Sequence, residues 1–428
     1  MLNFDLISVA VGLLTGVIGG MLPGIGHLLC LILIMPWMVS WNPLEMFVCF
    51  AIMVQVSQFL GSLTTTFTRV PGELSSMPML EELKFVPQHR MPEVLSSTAI
   101  GSMIGMILAM ILCWLLLDFM AYISYLFRTE VMLILMSSAV AMIFYLSRGS
   151  RTTKLLLLAL GAVLGLIGYN QNLEVNILTF GNTALMAGVP TAVVLVCLFA
   201  IPQLYQIKNL SLAWNPTHMT FSIPWSSVKV MPVSAVIGFF AGMMPGLATI
   251  FSSQLAYNWI KSRNQDPVIR ITATETANNA GAIGQMIPML VLGLPILSSE
   301  ALVLALMESK GFQANLITGS KYMWQTLAPL AITALIAAAL AWPLALLTIQ
   351  ILRVNMNVLR NVAVLILLSV IFYQAYQDMQ LMFTIGCFLV LSGVGWLIRK
   401  QDTMLLIFVF FISERLLDHA VRFSTLYF

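Results

Sequence analysis

The sequence predicts an all-α polytopic membrane protein made of two structural repeats, each opening with a Pro-Gly-broken helical hairpin. Three observations carry this. First, of 428 residues 60% are hydrophobic and only 9% charged, with a mean hydropathy of +0.95, too little charge for a soluble fold of this length. Second, the apolar runs are long and continuous, which excludes the short alternating segments of a β-barrel. Third, the pattern G-x-x-x-G-x-x-P-G occurs twice, as Gly16, Gly20, Pro23, Gly24 and, at one constant offset, as Gly238, Gly242, Pro245, Gly246. Pro and Gly break helices in apolar sequence. Interrupted helices at matching positions in two halves point to the binding site of a secondary transporter.

The elements follow in order, a crossing needing about 20 apolar residues. Residues 5–39 hold the first broken segment and 43–61 a span. The hydroxyl-rich stretch from Gly61 to Ser76 is expected to leave the helix, because its polarity suits a wet cavity rather than lipid. Residues 77–95 are charged and read as a surface loop or interfacial helix. Spans are expected near 96–117, 130–147, 155–170 and 184–204, closing a first half at 1–204. A polar linker, 205–230, leads to a second half at 231–428. That half repeats the order: a broken segment at 231–260, a polar-dotted apolar stretch at 272–295, a polar loop, then spans near 325–350, 358–375, 380–397 and 403–418. The N-terminus lacks the basic region of a cleavable signal, so the first apolar run is expected to belong to the fold.

Charge sets orientation. If the first broken segment is a hairpin that begins and ends outside, five crossings separate it from the second, and the halves are inverted. Most basic residues, including Lys84, Arg90, Arg148, Arg151, Lys154, Lys261, Arg263, Arg270, Arg353, Arg360, Arg399 and Lys400, then lie inside. The outside loops near 171–183 and 376–379 contain no Lys or Arg, in keeping with the positive-inside rule. If both segments cross fully, the repeats are parallel. The charge pattern favours the inverted arrangement. The net charge of +3 is scattered and points to no nucleic-acid partner.

The chemistry concentrates in Thr272-Ala-Thr274-Glu275-Thr276-Ala277-Asn278-Asn279-Ala280-Gly281, which runs on to Leu292-Gly293-Leu294-Pro295. Hydroxyls, amides and freed carbonyls at a helix break coordinate cations, and the N-terminus of a broken helix holds a carboxylate. Thr274, Glu275 and Asn279 are therefore candidate ion-coupling residues, for Na⁺ or H⁺. Candidate substrate ligands are Pro23, Gly24, Ser62, Thr64, Thr65, Pro245, Gly246, Asn278, Asn279 and Pro295. Each has a plainer alternative. Glu275 could cap a helix at the surface near Arg270, the asparagines could join helices, and the threonines could bond their own helix carbonyls. Arg69 either meets a substrate carboxylate bidentately or snorkels to the inner surface. Gly16, Gly20, Gly238 and Gly242 are spaced for close helix packing. The five cysteines lie in apolar runs without metal spacing, and no H-E-x-x-H, G-x-S-x-G or paired intramembrane aspartates mark an enzyme.

These motifs resemble those of the large permease subunit of tripartite tricarboxylate transporters, the TctA type. The residues that carry the resemblance are Gly19-Gly20-Met21-Leu22-Pro23-Gly24-Ile25-Gly26, Gly61-Ser62 with Pro71-Gly72, Pro245-Gly246, Glu275-Thr276-Ala277-Asn278-Asn279-Ala280 and Leu292-Gly293-Leu294-Pro295. Their joint order spans most of both halves. The chain departs from the pattern at Ile296 after Pro295 and at Gly311-Phe-Gln-Ala-Asn-Leu. The resemblance implies ion-driven carboxylate uptake across the inner membrane, with a small membrane subunit and an extracytoplasmic substrate-binding protein as partners. A homodimer fits such carriers. A channel, a non-transporting assembly subunit and an intramembrane enzyme are the competing readings.

Overall fold

The computed structural model describes residues 6–22, 26–69, 74–124, 129–147, 149–170, 173–206, 221–244, 248–312, 320–351, 356–377, 381–401 and 403–427. Its first half contains α1 (Leu6–Met21), α2 (Gly26–Met38), α3 (Pro43–Thr68), α4 (Met77–Leu83), α5 (Met91–Ser124), α6 (Thr129–Leu146) and α7 (Arg151–Leu166). A short hairpin, β1 (Gly168–Asn170) and β2 (Val175–Ile177), follows with α8 (Thr183–Met186). Next come α9 (Thr191–Leu195), a π-turn over Val196–Ala200 and α10 (Ile201–Gln206). The second half holds α11 (Trp225–Gly242), α12 (Ala248–Lys261), α13 (Pro267–Gly284), α14 (Met286–Leu292) and α15 (Ser298–Ser309). It ends with α16 (Ser320–Ala339), α17 (Ala341–Ile351), α18 (Met356–Gln377), α19 (Leu381–Ile398) and α20 (Met404–Tyr427).

Among the described residues, four segments are long and apolar enough to cross a membrane: Pro43–Thr68, Gln88–Leu116, Trp225–Gly242 and Leu381–Ile398. The structure is thus that of an all-α membrane protein. Pro23, Gly24, Pro245 and Gly246, the expected helix breaks, lie outside the described residues.

Several expectations change. The stretch after Gly61 stays helical as far as Thr68, where α3 ends, and residues 70–73 lie outside the described residues. Its hydroxyls satisfy carbonyls of the same helix, Thr65 to Gly61 at 2.9 Å, Thr66 to Ser62 at 2.8 Å and Thr68 to Thr64 at 2.8 Å, so polarity forces no break. The expected linker ends early, because α11 begins at Trp225. The expected polar loop after Pro295 is largely helical as α15. There Glu300 accepts the N–H groups of Ile296 at 2.7 Å and Leu297 at 3.3 Å and so starts the helix. The stretch expected as an outside loop near 171–183 holds β2, paired with β1 just before it, and the apolar stretch near 184–204 is divided between α8 and the segment from α9 to α10.

Local rules explain the central helix of each half. α3 begins with a capping box, in which Asn42 accepts from the Glu45 N–H and Glu45 from the Asn42 N–H, both at 3.0 Å. α13 begins on Asp266, which accepts the Val268 N–H at 3.0 Å ahead of Pro267. α3 ends at Arg69 in the left-handed conformation (φ 57, ψ 24), and α14 ends at Gly293 in nearly the same conformation (φ 64, ψ 24). For an L-residue such a cap costs on the order of 1 kcal/mol, which glycine avoids.

Glycines set the packing. A Cβ at Gly12 or Gly20 of α1 would meet the carbonyl of Cys49 or Ser57 on α3 at 2.6 Å, and one at Gly16 would meet that of Met53 at 2.9 Å. On α11, Gly238 and Gly242 lie equally hard against the backbone of Ala277 and Gly281 on α13. The two helix pairs therefore repeat one contact, as the small-residue spacing predicts.

The central helices run antiparallel. Gln58 of α3 meets Asn278 of α13, while Arg69 at the far end of α3 lies beside Met91. Met91 clusters with Val268 and Ile271 near the start of α13. α5 runs alongside α13 in the same direction, from the Arg90–Asp266 pair to the Ser102–Asn279 hydrogen bond.

We predict that Gly242→Leu forces α11 from α13 and destabilises the protein by about 1–3 kcal/mol, read as a lowered melting temperature in detergent. Gly61→Ala, inside α3 and with a Cβ that meets nothing within 4 Å, raises the melting temperature slightly, gaining about 0.5–1 kcal/mol of helix stability.

Candidate binding site at the crossing of the central helices

α13 is buried along almost its whole length although it is rich in polar residues. Thr272 and Thr274 turn their hydroxyls back to the carbonyls of Val268 (2.7 Å) and Arg270 (2.8 Å). Glu275 is fully buried. It does not cap the helix near Arg270. That capping role belongs to Asp266, and Arg270 pairs with Glu82 at 3.1 Å.

Asn278 donates to Gln58 Oε1 at 3.0 Å, joining α13 to α3. Asn279 donates to Ser102 Oγ at 2.8 Å, joining α13 to α5, and to the Glu275 carbonyl at 2.9 Å. A related contact lies on α3, where Gln55 accepts from Thr333 Oγ1 at 2.7 Å and donates to the Leu330 carbonyl of α16 at 3.1 Å. Each central helix thus bonds a helix of the other half through an amide and a hydroxyl.

The carbonyl oxygens of Asn278 and Asn279, like Oγ1 of Thr276 and Oε1 of Gln285, are buried and unbonded among the described residues. An orphaned buried polar atom costs about 1–3 kcal/mol. These are oxygens, three of them amide carbonyls that only accept. Each of these oxygens suits a cation or a hydrogen-bond donor. Gly101 and Gly105 of α5 lie close against Thr276, so the two helices approach there with no side chain of α5 between them.

The other expected ligands fall in three places. Ser62, Thr64 and Thr65 are buried on α3 beyond Gln58, and all bond carbonyls: Phe59 at 2.8 Å, Gly20 at 3.0 Å and Gly61 at 2.9 Å. Pro295 is buried beyond α14, where Arg415 donates to the Gly293 carbonyl at 2.7 Å and pairs with Glu308. Pro23, Gly24, Pro245 and Gly246 lie outside the described residues. The helices before them are tied at different points: Thr64 of α3 bonds the Gly20 carbonyl, and Ser252 of α12 bonds that of Gly238 at 2.8 Å. Sequence reasoning missed Gln55, Gln58 and Ser102. The signal was present, since Gln55 and Gln58 are amides three residues apart inside an apolar span.

An ion-pair cluster closes one end. Arg90 grips both oxygens of Asp266 (3.1 and 2.9 Å) and also Glu93, while Glu82 takes Arg270 and the Tyr257 hydroxyl at 2.8 Å. Burial raises the Asp266 pKa, but the Arg90 bonds, the Val268 N–H and the Arg90 charge outweigh it, leaving it below the usual carboxylate value.

Residues 6–410 match the family described as the tripartite tricarboxylate transporter TctA family. The chain is 23% identical over 312 residues to an Agrobacterium vitis protein described as an uncharacterized 52.8 kDa protein in the TAR-I ttuC' 3' region. That likeness takes in 68% of this chain and 61% of the relative, so the chain spans less than two thirds of the relative's length. No solved structure matches.

Two outcomes are expected. In a double-mutant cycle, Asn278→Ala and Gln58→Ala couple by about 1 kcal/mol in detergent unfolding, and additive effects would deny the contact. Because the folded pKa of Asp266 is lowered, its pairing stabilises the protein above the ordinary carboxylate pKa and is lost as pH falls through the folded value. The melting-temperature gap between wild type and Asp266→Asn is therefore present at neutral pH and shrinks in acid.

Proposed function

The chain belongs to the tripartite tricarboxylate transporter TctA family, and from that premise we propose that it is an ion-coupled permease importing small di- or tricarboxylates by alternating access. The observation that carries the reading is the buried, unbonded oxygens, among the described residues, of Thr276, Asn278 and Asn279 on α13 and of Gln285 just after it, beside the Asn278–Gln58 contact with α3 and the Asn279–Ser102 contact with α5. Buried polar residues within a membrane protein mark ion and substrate paths. Glu275, Thr274 and Asn279 serve the coupling ion, Na⁺ or H⁺. Asn278 and Asn279, with Ser62, Thr64 and Thr65, line the substrate side. Pro23, Gly24, Pro245, Gly246 and Pro295 are further proposed substrate ligands.

The two halves act as inverted repeats. Three features support this: antiparallel α3 and α13, the repeated glycine seams of α1 on α3 and α11 on α13, and the matching left-handed caps. Arg69 precedes Pro71 by two residues, and Gly293 precedes Pro295 by two. The permease is multi-pass in the inner membrane. It works with a small membrane subunit and an extracytoplasmic binding protein, and dimerises. It is a carrier, not an enzyme.

The test is uptake of labelled citrate and succinate into proteoliposomes, with Na⁺ and proton gradients imposed separately. We expect accumulation driven by one of the gradients, and a loss of at least tenfold, about 1.4 kcal/mol, in an Asn278→Ala, Asn279→Ala variant. Equilibration without accumulation would mark a channel. No uptake even with the partner subunits present would overturn the carboxylate reading.

A further inference from the structure

Arg69 and Gly293 occupy the same kind of position in the two halves. Each closes a helix in the left-handed conformation, each donates its N–H to a carbonyl four residues back (Thr65 and Met289), and each stands two residues before a proline. The second half uses the residue that this backbone favours. The first half uses a long cationic side chain that the backbone disfavours. A non-glycine residue held in the left-handed region persists where its side chain has a task, and such outliers gather at ligand clamps.

The setting of the guanidinium gives an independent observation. Arg90 holds Asp266 and Glu93, Arg270 holds Glu82, and Arg415 holds Glu308. Arg69 is half-buried, yet among the described residues it meets no carboxylate and only the Met91 thioether, Nη2 to Sδ at 3.6 Å. Among the described residues its fork is therefore left available, about one turn beyond Thr65 and on the helix that carries Gln58 and Thr64. A planar guanidinium with its donors unfilled matches a carboxylate in a paired, bidentate geometry.

We propose that Arg69 anchors one carboxylate of the transported substrate and sets the preference for multiply charged acids. This rests on the carboxylate-permease reading. It gives the first half a charged substrate ligand and leaves the uncharged oxygens of α13 for the coupling ion and the substrate hydroxyls.

The test uses the full chain in proteoliposomes. Wild type, Arg69→Gly and Arg69→Lys are compared for the KM of citrate and of succinate at one fixed gradient, and for melting temperature in detergent. Arg69→Gly is expected to melt at or above the wild-type temperature, because glycine relaxes the cap, while its KM for citrate rises at least tenfold and more than that for succinate. Arg69→Lys keeps the charge but not the fork, so its KM stays at least fivefold above wild type at an unchanged melting temperature. The assignment is overturned if Arg69→Gly keeps its citrate KM within twofold. It is also overturned if Arg69→Gly melts lower and Arg69→Lys restores both quantities, which would make the residue a helix-end charge. A wild-type protein that takes up neither acid overturns the carboxylate reading and this assignment together. Wild-type and Arg69→Gly proteins with equal uptake overturn this assignment alone.

Discussion

Polar groups buried among apolar side chains must find partners, and that constraint shapes this molecule. α13 carries Thr272, Thr274, Glu275, Thr276, Asn278 and Asn279 with almost no exposure to solvent. In hydrocarbon or a dry core such groups are tolerated only when bonded or facing a ligand. The first two threonines are satisfied by their own helix. The asparagines spend their N–H groups on Gln58 and Ser102 and keep their carbonyl oxygens unbonded among the described residues. The helices around them come close enough to enclose this group because Gly101, Gly105, Gly238 and Gly242 bring no side chain to the seams.

The same crossings tie the halves together. α5 of the first half lies along α13 of the second, and α16 of the second bonds α3 of the first through Gln55 and Thr333. Neither central helix can tilt without moving its borrowed partner. At one end the Arg90–Asp266 and Arg270–Glu82 pairs fasten α5 and the stretch around α4 to α13. The Arg90–Asp266 pair is partly exposed and is screened by salt, whereas the Arg270–Glu82 pair is nearly buried and is screened far less. The glycine seams and the amide–hydroxyl bonds hold the crossing, and the ion pairs fasten one end of it.

The fold class was legible in the sequence because apolar length and scarcity of charge are properties of composition. The glycine seams were legible because Gly16, Gly20, Gly238 and Gly242 are spaced one helical turn apart, and only a helix interface uses that spacing. What the sequence hid was the fate of polar residues. The run Ser62 to Thr68 reads as a break, yet each hydroxyl finds a carbonyl three or four residues back or, for Thr64, on α1. Hydroxyl content cannot tell a wet cavity from self-satisfied helix. Glu300 likewise looks like loop until its carboxylate is seen holding the N–H groups that start α15. Asn278 and Asn279 stood out in the sequence, but Gln58 and Ser102, their partners, became visible only once α3 and α5 were brought against α13.

The most direct test of the site at the α3–α13 crossing is thiol accessibility at Gly61. This residue lies one turn beyond Gln58, and a Cβ there meets nothing within 4 Å. A Gly61→Cys protein, with the five native cysteines replaced, is reacted with a membrane-impermeant maleimide applied to each side of proteoliposomes in turn. The account predicts modification from both sides, and at least tenfold slower modification when citrate and the coupling ion are present. Modification from one side only, at a rate that citrate does not change, would contradict it.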